Sequence, residues 1–414
     1  MKWLLIILTS GTIVTLTWMN FSSRDRSAQI KLCAACPPGF ELAENNQCKL
    51  RSLYQLYESG HGNEPGVGGL KTALPEVRDG FTPEQIDLGR YLFFDPILSK
   101  DGTISCASCH QPDKGFSDGL KTSVGVKGTS LKRAAPSLWN VAFLRKLFWD
   151  ARAKTLEEQM TGPLYSADEM GSTREQLLKT LNGIDSYRDL FRQAFPEKHS
   201  DEIELSDVYL AITAFESSLI SLNSRYDQYA HGYHEALTQN EIEGLNIFRS
   251  FVARCAECHT PPLFTNQQVA VIGLAEPDKS FESGAAATFK DSTLRGAFKV
   301  PSLRNAALTA PYSHSGRFES LEGMISFYTK GRGHEVSASE NLRIHWHIWE
   351  PGLRNDEVNR LVDFIKTLND ESFKPQVPEV LPSGIRLKKD SSKTLLSSVQ
   401  KSNRTSYIGN RKSN

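Results

Sequence analysis

The chain carries no net charge: 48 Lys and Arg balance 48 Asp and Glu over 414 residues. Bulk electrostatics therefore give no sign of a nucleic-acid partner. Strand-like alternation of apolar and polar residues is scarce, which argues against a mainly β architecture and for a mainly α fold with long loops. Cysteines are few, seven in all, and their placement matters more than their number. An apolar fraction of 39% is ordinary for a globular protein, and the length suffices for two or three domains.

Four of the seven cysteines fall into two copies of one pattern, Cys106-Ala107-Ser108-Cys109-His110 and Cys255-Ala256-Glu257-Cys258-His259. Two cysteines separated by two residues and followed at once by histidine form the attachment signature of a c-type haem. Each thiol adds to a haem vinyl group, and the histidine reaches the iron as proximal ligand. A zinc half-site or a redox pair could imitate one such pattern; two in one chain point to two covalent haems. The other cysteines, Cys33, Cys36 and Cys48, cluster near the N-terminus. Cys33-Ala34-Ala35-Cys36 lacks the following histidine, so no third haem is expected. In an exported segment the plain reading is a Cys36–Cys48 disulfide around Pro37-Pro38-Gly39, with Cys33 unpaired or the pairing different.

Residues Trp3 to Phe21 are almost wholly apolar or small, with Lys2 before them and Arg24 after. They read as a short spanning helix or as the apolar core of a secretion signal, with Trp3 and Trp18 as interfacial anchors. No clear small-x-small cleavage site follows, so an uncleaved membrane anchor and a removed signal both stand. Either way the chain is expected outside the cytoplasmic membrane, in the periplasm, where c-type haems are attached.

The expected organisation is a signal or anchor over 1–22, a cysteine-containing segment over 23–73, and two cytochrome c-like haem domains over 74–225 and 226–380. A basic, serine-rich tail over 381–414 is expected to be disordered. Thr82 and Pro83 mark a helix start. The helix carries Gly89 and Phe93, and Gly244 and Phe248 repeat that element before the second haem motif. A glycine one turn ahead of an aromatic suits a helix crossing closely over another beside a haem. Val208, Ile212, Phe215, Leu219 and Leu222 space as one amphipathic helix, and Asn355 is placed as the cap of a late helix carrying Leu361, Phe364, Ile365 and Leu368.

With these sites placed, the chain resembles the bacterial diheme cytochrome c peroxidase/MauG superfamily from about Leu74 to Leu368, closer to the MauG-like branch. The motifs are Leu88-Gly89-Arg90-Tyr91-Leu92-Phe93-Phe94-Asp95, Phe148-Trp149-Asp150-Ala151-Arg152, Leu156-Glu157-Glu158-Gln159, Pro301-Ser302-Leu303-Arg304-Asn305 and Ala310-Pro311-Tyr312-Ser313-His314-Ser315-Gly316, around the two haem motifs. The resemblance implies that the first haem (Cys106, Cys109, His110) meets peroxide and the second (Cys255, Cys258, His259) transfers electrons. It places Trp149 between them, and Glu169 as acid/base with Gln159 and Pro163 in the distal pocket. Sixteen residues after His110, where peroxidases needing activation carry a removable histidine, stands Val126, so the first haem is expected to be open.

Fourteen residues after His314 stands Tyr328, matching the tyrosine ligand of MauG-type enzymes rather than a peroxidase methionine. Met324, on the same helical face, is its rival. His314 is expected close to the second haem, without a ligand role. A calcium ion held by the carbonyls of Thr309 and Pro311 is also implied, less securely because Ala134 replaces the family's asparagine; Ala151 replaces its usual glycine. His345 and His347 receive no role beyond a surface or structural one. The implied function is peroxide-dependent oxidation of a protein or organic substrate. The alternatives are a peroxidase fed by a small cytochrome c or copper protein, and a non-enzymatic diheme electron carrier.

Overall fold

The computed structural model describes residues 30–52, 74–198, 200, 202–331, 333–337 and 339–387. The apolar stretch 3–21 and the segment 388–414 lie outside the described residues, and no helix among those described is long and apolar enough to cross a membrane.

The chain opens with a hairpin of β1 (Phe40–Leu42) and β2 (Cys48–Leu50), closed by the Cys36–Cys48 disulfide, while Cys33 is an exposed free thiol. The hairpin is no separate appendage. Phe40 and Cys48 pack with Phe81, Phe143, Leu222 and Leu263, so it covers residues from both halves of the chain. Next come α1 (Pro83–Phe94), α2 (Cys106–Cys109), α3 (Leu156–Tyr165), α4 (Arg174–Asn182), α5 (Asp185–Ala194), α6 (Leu205–Ser217) and α7 (Arg225–Ala230). They are followed by α8 (Gln239–Phe248), α9 (Cys255–Cys258), α10 (Ala285–Phe289), α11 (Leu321–Thr329) and α12 (Asn355–Lys366). One small antiparallel ribbon, β3 (Val269–Val271) with β4 (Ala297–Lys299), lies in the second half.

Thr82 caps α1 as expected: its hydroxyl accepts from the Gln85 N–H at 3.2 Å, and the Gln85 side chain answers at the Thr82 N–H, 3.1 Å away. Two expected boundaries move. The residue capping α12 is Arg354, not Asn355, because the Glu357 carboxylate takes the Arg354 N–H at 2.9 Å. The helix expected through Leu222 stops at Ser217. Leu219 and Leu222 stay buried beyond its end, so the apolar spacing outlasts the helix.

Each half is built on one helix pair crossing at a glycine. A Cβ added to Gly89 on α1 would stand 1.8 Å from the Ala211 carbonyl oxygen on α6, and one on Gly244 of α8 would stand 2.0 Å from the Arg360 carbonyl oxygen on α12. One turn on, Phe93 meets Phe215 at 5.0 Å and Phe248 meets Phe364 at 5.1 Å between ring centroids. The repeat continues past each haem motif. Pro136-Ser137-Leu138-Trp139-Asn140 matches Pro301-Ser302-Leu303-Arg304-Asn305, and both asparagines are left-handed, with φ of 63° and 57°. Both asparagines meet at Ser221: Asn140 exchanges two 2.9 Å bonds with its backbone, and Asn305, from the second half, donates to its hydroxyl at 2.8 Å and so joins the halves.

The tail needs correction at its start. Leu381 is 1% exposed and packs with Phe94, Leu138 and Leu219 of the first half, and Val380 bridges Arg386. Residues 381–387 are ordered because two leucines, Leu381 and Leu387, find apolar partners there.

Candidate functional site

The two haem motifs start short helices, α2 and α9, that end in their histidines. In each, the backbone prepares the imidazole for a metal. His110 Nδ1 lies 2.9 Å from the Phe116 carbonyl oxygen, and His259 Nδ1 lies 3.2 Å from that of Phe264 and 3.1 Å from that of Pro301. A carbonyl at Nδ1 fixes the proton there and leaves the Nε2 lone pair for iron. Burial pulls both imidazoles below their ordinary pKa, keeping them in the neutral, ligating form. The Ser137 and Ser302 hydroxyls donate to the carbonyls of Gly115 and Leu263, at 2.7 and 2.6 Å, and brace the loops that carry these contacts.

The surroundings fit a large, partly charged prosthetic group. Trp139 Nε1 and Glu216 Oε2 are buried in the first half without a protein partner. The Lys299 ammonium is pulled down to about 8 by burial, and no carboxylate among the described residues pairs with it. Such a lone cation, on a strand whose backbone holds Trp149, suits a haem propionate. Burial drives the Glu216 carboxyl up to about 8, with Glu157 adding to the push.

Trp149 stands where the halves meet. Its indole N–H donates to the Ala134 carbonyl at 2.9 Å, and its own carbonyl accepts from the Lys299 N–H at 2.7 Å. The His314 ring lies edge-on at 6.4 Å. Phe148 and Ala151 on either side are left-handed, at φ of 65° and 60°. A positive φ is what makes glycine the easier residue at the Ala151 position.

His314 is buried, stacks on Phe298 at 3.7 Å and has Nε2 2.8 Å from Glu276. Beside it Arg133 from the first half pairs with Asp150 at 2.9 Å and with Glu282 of the second at 2.8 Å. Sequence reading alone did not find Glu276 or Glu282, which come from a loop without periodicity.

Gln159 and Pro163 lie one turn apart on the same face of α3, both half-buried. The Pro163 carbonyl accepts from the Met170 N–H at 3.0 Å, folding the Glu169 loop back onto this helix. Burial raises the Glu169 carboxyl above its ordinary range; Arg152 opposes the shift and Asp168 adds to it. Glu169 also contributes to the upward push on the Cys109 thiol, which reaches about 11 mainly through burial. The acid thus lies within electrostatic reach of the first haem motif.

Tyr328 of α11 bears the same relation to the second motif. Burial raises its phenol, and Cys258 and Cys255 follow as further causes. Met324 lies one turn earlier and is half-buried. Thr309 lies beside Gly115, and Ala134, at the position of the expected asparagine, offers no side-chain oxygen.

Two neutral imidazoles facing away from their backbone anchors, each behind a pair of cysteines, define a protein built to hold two c-type haems. The profile of the di-haem cytochrome c peroxidase family matches residues 83–235. Cytochrome c551 peroxidase of Nitrosomonas europaea is 34% identical over 323 residues, covering 78% of this chain and 89% of that protein. Methylamine utilization protein MauG of Methylophilus methylotrophus is 34% identical over 298 residues, covering 72% and 86%. Among solved structures, a MauG-like protein associated with microbial copper homeostasis aligns with a TM-score of 0.67 at 32% identity, covering 76% of this chain and 97% of that one. The chain belongs to the diheme cytochrome c peroxidase/MauG family and is a peroxide-dependent diheme oxidoreductase.

Proposed function

We propose that this chain is an exported, periplasmic MauG-like enzyme that uses hydrogen peroxide to oxidise a protein or organic substrate. Residues 74–225 form its peroxide-handling domain and 226–380 its electron-transfer domain. The observation that carries the reading is Tyr328, whose half-buried phenol lies within electrostatic reach of both cysteines of the second haem motif. An oxygen donor there favours higher iron oxidation states than the thioether of a methionine.

When bound, the two haems supply the irons that accept and share the oxidising equivalents of peroxide. The protein does the rest. His110 and His259, anchored at Nδ1, would hold those irons through Nε2. With haem bound, the Glu169 carboxylate would take a proton from one oxygen of hydrogen peroxide and return it to the other, which would leave as water. Its raised pKa suits both halves of that transfer. The Gln159 amide orients the peroxide, and Pro163, on the same helix face, narrows the pocket. Val126 closes the region with an apolar side chain that has no lone pair to offer. Trp149, bonded to backbone of both halves, would relay electrons between the two haems when they are bound.

A second reading, a peroxidase drawing electrons from a small cytochrome c or cupredoxin, is favoured by Met324, a soft donor one turn from Tyr328. Steady-state peroxide turnover with a reduced small cytochrome c separates the two. Slow turnover, with peroxide still consumed in a single cycle, is expected; rapid multiple turnover overturns the MauG-like reading.

A further inference from the structure

His345 and His347 flank Trp346 on the loop between α11 and α12. The His345 N–H donates to the Val271 carbonyl at 2.9 Å, hanging this loop on β3. The loop lies over the second haem motif: one ring nitrogen from each histidine and the Cys258 sulfur lie within 4.8 Å of one another. The two imidazole centroids are 4.8 Å apart.

The His347 ring is aimed. Its Nε2 lies 2.7 Å from the Glu257 carboxylate, and Arg254 Nε holds the other Glu257 oxygen at 2.9 Å. A carboxylate at Nε2 keeps the proton there and leaves the Nδ1 lone pair directed at Cys258 Sγ, 3.9 Å away. This carboxylate–imidazole pairing is what orients metal-binding histidines. The spacing agrees. A nitrogen and a sulfur bonded to one ion at about 2.0 and 2.3 Å stand roughly 3.5–3.8 Å apart. Trp346 packs 3.7 Å from the His347 ring and is 62% exposed, so the cluster is open to solvent.

We propose that His345, His347 and the sulfur of Cys258 form a copper site against the second haem motif. The donors choose the metal. Once haem is attached, the Cys258 sulfur is an uncharged, soft thioether. Two imidazoles with a soft sulfur suit Cu(I); calcium and magnesium need oxygen, and zinc loses the thiolate it would favour. Arg254 also borders the site, its guanidinium 5.1 Å from the Trp346 ring. Glu257 answers that charge, and a monovalent ion adds the least to it. The inference rests on haem attachment at Cys255 and Cys258, and holds whether the enzyme is MauG-like or a peroxidase.

The test uses the haem-loaded protein, its two covalent haems counted by pyridine haemochrome. It is titrated anaerobically with Cu(I) against bicinchoninate, and metal is measured after desalting. One copper per chain is expected, undisturbed by excess zinc or calcium, with nitrogen hyperfine structure in the EPR of the oxidised Cu(II) form. His345→Ala/His347→Ala should lose the copper while keeping both haems, and Glu257→Gln should weaken binding about 10- to 100-fold. No copper on the wild type, full copper on the double variant, or zinc bound as tightly as copper overturns the proposal. A wild-type haem count below two overturns the premise shared with the functional reading, and is reported separately from copper.

Discussion

The Val126 N–H donates to the Glu169 carbonyl at 2.8 Å, so the position of the absent histidine is tied to the backbone of the proposed distal acid. Gly125 makes this approach possible, since a Cβ there would stand 1.8 Å from the Asp168 carbonyl oxygen. Val126→His restores a ligand on a buried, pinned loop. The expected outcome is conversion of the first haem from high-spin to low-spin in the ferric EPR spectrum, with peroxide reactivity reduced at least about tenfold. A wild-type first haem that is already low-spin would sink the open-site assignment, and a persistent high-spin signal in the variant with unchanged rate would mean that position 126 does not face the iron.

Glu169→Gln should slow peroxide cleavage by about 10²- to 10⁴-fold, the usual contribution of a positioned acid/base. The pH profile gives the sharper test. A base must be ionised to take the first proton, so kcat/KM falls as pH drops through its pKa. Burial raises that pKa and Arg152 opposes the rise. Arg152→Ala should therefore move the acid limb to higher pH. A limb that stays put, or moves down, removes Glu169 from the role.

Glu216 makes stability depend on pH in a direction that can be worked out. Its folded carboxyl holds a proton up to about 8, against an ordinary value of 4.5. Between those values the folded state binds a proton that the unfolded state has released. Stability is therefore greatest at the low end of the window and falls as pH rises through it, by roughly 5 kcal/mol at most. Glu216→Gln should flatten that slope. Urea midpoints of the haem-loaded protein from pH 5 to 8.5 check this, and parallel slopes in wild type and variant would refute it.

Tyr328 and Met324 are separable by spectroscopy. Tyr328→Phe should change the low-spin ferric EPR signal of the second haem, and Met324→Leu should leave it intact. The reverse pattern makes methionine the ligand and favours the peroxidase reading.

How much of this could be read from the sequence depended on whether the signal was local. The haem motifs, the Thr82 cap and the glycine ahead of each phenylalanine were legible because spacing along one chain defines them. The Cys36–Cys48 pairing was legible because so few cysteines lie outside the haem motifs. Gln159, Glu169 and Trp149 were visible only through resemblance, since nothing near them in sequence sets them apart from surface acid or core. Glu276 was missed because it meets His314 across 38 residues of irregular chain. The repeated Pro-Ser-Leu-x-Asn would have pointed to Asn140 and Asn305, had the two halves been laid side by side. The end of α6 was misplaced because burial continued where the helix did not.

The repeated glycine crossings allow a controlled comparison. Gly244→Ala drives a methyl to 2.0 Å from the Arg360 carbonyl oxygen, and relief requires α8 and α12 to move apart. Overpacking of this kind costs about 1–3 kcal/mol, and a backbone obstacle that cannot rotate away puts this case at the upper end. Because α8 leads directly to the second haem motif, haem attachment should also be less complete at that site. Gly89→Ala should do the same at the first site. Gly183→Ala is the control: its added Cβ stands 3.1 Å from its nearest neighbour, on a backbone of ordinary αR geometry. Thermal unfolding and haem counts of the three variants check this. Equal stability of Gly244→Ala and Gly183→Ala would mean that the close crossing does not hold the second half together.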